Sequence, residues 1–138
     1  MLAPDKIKLF RDLIVWQKSM KLAAKIYSLT RKMPKQEEYR LTSQMLRAAA
    51  SVPANIAEGH MRGSRRDYAR FIHIARGSLA ELETFVILAS DEEDVRLLAR
   101  KDTEQVLGLL DEVGRMLNSL SHRLAAVTPA TAPLKPNP

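Results

Sequence analysis

Apolar positions along this chain recur with the period of a helix. Leu13, Trp16, Met20, Ala23 and Tyr27 fall at steps of three and four. A second row, Val15, Leu22, Ile26, Leu29 and Met33, runs beside it with Ser19 in its gap. The spacing predicts a first helix opening at Leu13, capped by Asp12 and ended by Pro34. Two apolar rows cover more of a helix than one partner buries. The remaining side carries Lys18, Lys21, Lys25 and Lys32, again at helical spacing.

A second helix is predicted from about Glu37 or Glu38, whose charges suit a helix start, to Gly59, read as a left-handed cap. Gln44, Arg47, Ser51, Asn55 and Glu58 form a polar seam along it, while Leu41, Met45, Ala49, Val52 and Ile56 lie on another side. Pro53 removes an N–H and crowds the carbonyl of Ala49, which predicts a kink there; a break and restart is the alternative. The seam reads as a structural network between helices, with Arg47 within reach of Glu81 or Glu83.

Ser64 and Asp67 then form a capping-box pattern ahead of Tyr68, Phe71, Ile72, Ala75, Leu79, Leu82 and Val86. The short link after Gly59 turns this third helix back on the second. Gly77 in mid-helix suggests a close helix contact, and the helix should end near Ser90-Asp91. The acidic run Asp91-Glu92-Glu93-Asp94 is placed to open another helical segment. Val106, Leu109, Leu110, Val113, Leu117, Leu120 and Leu124 mark the last strong helix. Whether 92–123 is one helix or two stays open. With no strand-like alternation and no internal repeat, the expected fold is all-α, an up-down antiparallel four-helix bundle over 1–127. A tail at 128–138, with four prolines in eleven residues, lies outside the core.

Composition sharpens this picture. A chain of 138 residues, 46% hydrophobic but only 5% aromatic, suits one domain with a core of Leu, Ala, Val, Ile and Met. The absence of cysteine excludes disulfides and thiolate-bound metals. No apolar run approaches the ~20 residues of a membrane span, and the start lacks a signal-peptide centre. A cytoplasmic protein with no membrane partner is therefore expected. Charge is uneven: residues 1–47 hold eleven Lys/Arg against four Asp/Glu, and residues 77–123 hold five against ten. Such a split attracts nucleic acid or complements itself between subunits. The lysine row on helix one, with Arg62, Arg65, Arg66 and Arg70 near one bundle end, is the candidate phosphate-binding surface.

No catalytic pattern emerges. The residues three before His60, His73 and His122 are Ala57, Arg70 and Ser119, so the Glu-x-x-His pairs of a di-iron bundle are missing. No Walker-type loop occurs, and Ser64 and Ser78 are explained by capping or packing. The chain is read as a non-enzyme with no cofactor and no metal site.

A set of blocks carries a resemblance. Asp12-Leu13-Ile14-Val15-Trp16-Gln17-Lys18 is followed by Gln44-Met45-Leu46-Arg47 and by Ser51-Val52-Pro53-Ala54-Asn55-Ile56-Ala57-Glu58-Gly59. Then come Ser64, Tyr68-Ala69-Arg70-Phe71 and Ala75-Arg76-Gly77-Ser78-Leu79-Ala80-Glu81-Leu82-Glu83. Across about residues 10–124 the chain resembles the bacterial 23S rRNA intervening-sequence protein family of four-helix bundles. A relative of that family is the accessory protein of diversity-generating retroelements, a pentameric barrel with a basic surface that works with a reverse transcriptase and nucleic acid. The resemblance implies a homopentamer without enzymatic activity, with RNA or DNA and a nucleic-acid-processing protein as partners. The family name records where some of its genes sit and implies no ribosomal role. The sequence departs from the pattern at Asp91–Asp94, where relatives often carry a glycine-containing apolar turn.

Two functional readings follow. One is an oligomeric accessory protein that binds nucleic acid through its basic face without reading bases, since few aromatics are available for stacking. The other is a protein-interaction scaffold whose basic half meets an acidic half elsewhere.

Overall fold

The computed structural model describes residues 9–126; the proline-rich tail and both limits of the expected domain lie outside them. Four helices, α1 (Ile14–Thr30), α2 (Ser43–Met61), α3 (Arg65–Ala89) and α4 (Arg100–Ala126), form an up-down bundle, with no strand among the described residues. Helix α1 packs against α2 and α4, and α3 packs against the same two. Two cross-helix contacts fix the directions. Lys32, just past the end of α1, meets Asp102 at the start of α4 at 2.9 Å. Arg65, at the start of α3, donates to the carbonyl of Arg123 near the end of α4 at 3.2 Å.

The apolar rows converge as their spacing requires. Leu22, Ile26, Met45, Val52, Ile56, Ile72, Leu82, Val86, Leu110, Leu117 and Leu124 are fully buried, and each such side chain contributes ~1.5–3 kcal/mol. Three hydroxyls inside this core are satisfied locally. Ser19, Thr30 and Thr103 are buried and donate to the carbonyls of Trp16, Tyr27 and Arg100 at 2.8, 3.1 and 3.0 Å. Burying an unpaired hydroxyl would cost more than each hydrogen bond returns, so the carbonyl three residues back makes these positions tolerable.

Helix boundaries depart from the expected ones at the start of α1 and at both ends of α2. Asp12 does not cap α1: it lies in a 3-10 turn, Phe10–Asp12, and Leu13 takes the N-cap position with no side-chain bond. Helix α2 starts at Ser43, later than expected. Glu37 closes a 3-10 turn and Glu38 opens a π-type turn, Glu38–Thr42, in which Arg40 leaves helical geometry at φ −114°, ψ −109°. Pro53 sits buried within α2, which runs through it without a break. Gly59 is no left-handed cap either. Helix α2 continues to Met61, and no glycine among the described residues has positive φ.

Gly59 has a packing role instead. A Cβ there would stand 2.8 Å from the Cβ of Phe71 and 3.2 Å from the carbonyl oxygen of Tyr68, so α2 and α3 approach each other too closely for any larger residue. Gly77, where close contact was expected, is exposed, and a Cβ placed on it would have no neighbour within 4 Å. The cap of α3 forms as read: Ser64 Oγ accepts from the Asp67 N–H at 3.1 Å.

The link from α3 to α4 is a tied loop with one helix after it. Asp91–Asp94 opens no helix. The Asp91 carboxylate accepts from the N–H groups of Asp94 at 2.8 Å and Val95 at 3.0 Å. These donors, Val95 foremost, hold the Asp91 carboxyl below the ordinary carboxylate value. Arg96 takes φ +47°, and Leu98 N–H donates back to the Ala89 carbonyl at 2.8 Å.

Candidate nucleic-acid interface

The lysines of α1 share a side of that helix, but they are not equivalent. Lys18 pairs with Glu112 of α4 at 3.1 Å, and Lys32 with Asp102 at 2.9 Å. Lys21 is exposed and Lys25 is half-buried, and neither has a carboxylate oxygen within 4 Å among the described residues. The row therefore borders α4 at both ends and is free only in its middle. Within the chain, the carboxylates that engage it come from α4.

The four arginines gather where α2 turns into α3. Arg62 pairs with Glu58 at 3.3 Å and Arg70 with Asp67 at 3.8 Å. Both guanidiniums also lie over the ring of Phe71, at 4.8 Å for Arg62 and 4.5 Å for Arg70. Arg65 reaches the end of α4, and Arg66 is exposed. Spacing alone puts Phe71 in the buried row; in the fold it is half-buried and serves as the platform for two cations. Its position next to Arg70 is the sequence signal for this role; that it faces Gly59 emerges only in the fold.

The polar seam of α2 divides into a floor and a rim. On the floor, Ser51 Oγ and Ser78 Oγ are 2.7 Å apart, and Asn55 Nδ2 donates to both the carbonyl and the hydroxyl of Ser51, at 2.8 and 2.9 Å. Ser78, which the sequence explains by capping or packing, is the α3 partner that closes this network. Gln44, Arg47 and Glu58 form the rim and are exposed. The expected buried pair of Arg47 with Glu81 or Glu83 does not form. All three are exposed, and no carboxylate oxygen lies within 4 Å of Arg47 among the described residues. A groove of about 180 Å³ runs between Arg47, Ser51, Ser78, Glu81 and Phe85. Arg47 stays in solvent, where water solvates its charge without the desolvation that a buried pair would cost.

Two further features bear on what the surface can do. Met20, Tyr27 and Met61 are 45, 51 and 67% exposed, with exposed Ala50 and Ala54 on α2. Of the two apolar rows of α1, the one through Met20 and Tyr27 is thus left partly uncovered. Among the described residues no three His, Cys, Asp or Glu side chains are grouped to hold a metal, and no helix is long and apolar enough to cross a membrane.

The comparisons agree with this architecture. A solved structure of a protein with unknown function from the S23 ribosomal protein family of Bacteroides thetaiotaomicron VPI-5482 superposes with a TM-score of 0.70. It is 28% identical, and the match covers 78% of this chain and 98% of that one. No curated protein matches. Residues 11–119 match the family of the 23S rRNA-intervening sequence protein, and the chain belongs to that family.

Proposed function

We propose that this protein is a non-enzymatic, oligomeric accessory protein that binds nucleic acid through its basic surface, without reading base sequence. The observation that carries the reading is that Lys21 on α1 and Arg66 on α3 are exposed with no carboxylate within 4 Å among the described residues, beside the partly paired Lys18, Lys32, Arg62 and Arg70. Exposed ion pairs are worth only ~0–1 kcal/mol, so phosphate competes for these side chains readily. Oligomerisation is supported by the exposed Met20, Tyr27 and Met61; five subunits is the number that the resemblance implies. A ring repeats the basic surface by symmetry, and phosphate attraction adds across contacts.

Fluorescence anisotropy at low salt with two single-stranded RNAs of unrelated sequence tests the reading. Equal binding of both is expected, and a strong preference for one would contradict it. Light scattering at micromolar concentration tests assembly: a mass near 15.5 kDa, that of one chain, would refute the oligomer. The scaffold reading has its own support, since α4 carboxylates already occupy both ends of the lysine row. Absence of nucleic-acid binding together with an intact oligomer would favour it.

A further inference from the structure

The two basic regions differ in how their cations are held, and that difference decides where a phosphate backbone docks. The lysine row is strung along α1: Lys18 lies in its second turn and Lys32 just past its end. Its ends are engaged by Glu112 and Asp102, just as Arg62 and Arg70 are engaged by Glu58 and Asp67. The ammonium of lysine is a compact, strongly hydrated charge on a flexible stem, so each contact must order a long side chain.

At the α2–α3 turn the arrangement is tighter. Arg66 and Arg70 are one helical turn apart on α3, and Arg62 joins them from just past the end of α2. The guanidiniums of Arg62 and Arg70 are already settled over Phe71 at 4.8 and 4.5 Å. Phe71 is in turn fixed against α2, because its Cβ lies where a side chain on Gly59 would have to go. Ordering before binding reduces what the complex loses in side-chain freedom. A guanidinium seated over a ring still offers N–H donors to phosphate oxygens, and unpaired bases stack on guanidinium planes.

We infer that Arg62 and Arg70, seated on Phe71, together with Arg66 one turn before Arg70, form the primary phosphate-contacting site, and that its ligand is an unpaired nucleic-acid strand, with the lysines of α1 secondary. The inference rests on the nucleic-acid reading above and names the part of the surface that does the binding. It also gives the placement of Gly59, Arg62 and Phe71 a single physical purpose, the seating of two cations on one ring.

The test compares three variants with the unmodified full chain, using a fluorescein-labelled 20-mer of uridylate and a duplex DNA across several salt concentrations. The first is Arg62→Gln with Arg66→Gln and Arg70→Gln. It should bind the uridylate about tenfold or more weakly, with the salt slope reduced by about 2, at about 0.7 for each lost single-strand contact. The second, Lys18→Gln, Lys21→Gln, Lys25→Gln and Lys32→Gln together, should keep most of the affinity. The third, Phe71→Leu, keeps every charge and an apolar side chain at the contact. It should weaken binding about threefold with the slope unchanged, as loss of ordering alone predicts. Arg66→Gln by itself removes no ion pair and no ring contact, so it guards against a folding defect and should lower the slope by about 0.7. If the lysine variant loses binding while the arginine variant keeps it, the location is wrong and the nucleic-acid reading survives. Wild-type affinity in Phe71→Leu would overturn the platform, and duplex bound more tightly than the uridylate would overturn the unpaired strand. If the unmodified protein binds neither probe, both the site and the reading fall.

Discussion

The lysine row of α1 and the arginine turn between α2 and α3 read alike in the sequence, as basic residues at helical spacing, yet they are built differently. The lysines face the neighbouring helix and trade charge with Glu112 and Asp102 across open solvent. The arginines rest on Phe71, which rests on a contact that only glycine at 59 allows. Both regions carry exposed ion pairs, Arg62 with Glu58 and Arg70 with Asp67 as well as the two on the lysine row. The arginines alone also have an aromatic ring packed beneath them. A count of basic residues cannot distinguish them, because their difference lies in what stands beneath each charge.

The strongest way to break the comparison is at Gly59. By helix propensity alone, Gly59→Ala inside α2 would stabilise by ~1 kcal/mol. The contact with Phe71 at 2.8 Å reverses the sign, and a net loss of ~1–3 kcal/mol is expected in denaturant melts. A stabilised variant would show that the α2–α3 contact is loose. Next in size is Ser78→Ala, which removes the α3 half of the hydroxyl pair while Ser51 keeps its bond from Asn55. A loss of ~1 kcal/mol is expected by the same melts; no change would mean that the floor does not join the helices.

The electrostatic side of the comparison is weaker and sensitive to salt. A double-mutant cycle on Lys18→Ala and Glu112→Ala should give a coupling of ~0.2–1 kcal/mol at low salt that fades near 1 M, where the screening length is ~3 Å. A coupling that survives high salt would place this pair in a drier setting than its exposed side chains indicate. Smallest of all is Arg47→Ala. The sequence suggests a buried pair whose loss would be costly, but the exposed side chain predicts a change within ~0.5 kcal/mol. Thermal melts would show the larger loss if a partner held this side chain.

The pattern of these outcomes follows what is legible in the residues. Helix identity, bundle topology, the Ser64 cap and most of the core can be read, because apolar periodicity is a local signal set by burial. The start of α2 cannot, since Glu37 and Glu38 favour a helix start but do not reveal that Arg40 departs from helical geometry. Gly59 reads as a cap and packs, while Gly77 reads as a packing site and is open: one glycine looks like another until the facing helix is known. The same limit applies to the site. Spacing identifies Lys18, Lys32, Arg62 and Arg70 as candidates, but their partners Glu112, Asp102 and Phe71 are distant or on another face, and only the fold brings them together.

The central claim, that the basic surface binds a phosphate backbone, is tested most directly by the salt dependence of the unmodified protein. Anisotropy of a labelled uridylate 20-mer, titrated from low to high salt, should give log affinity falling linearly with log salt at a slope of about −2 or steeper, equivalent to about three or more single-strand phosphate contacts. A flat dependence, or no binding at the lowest salt, would contradict the account.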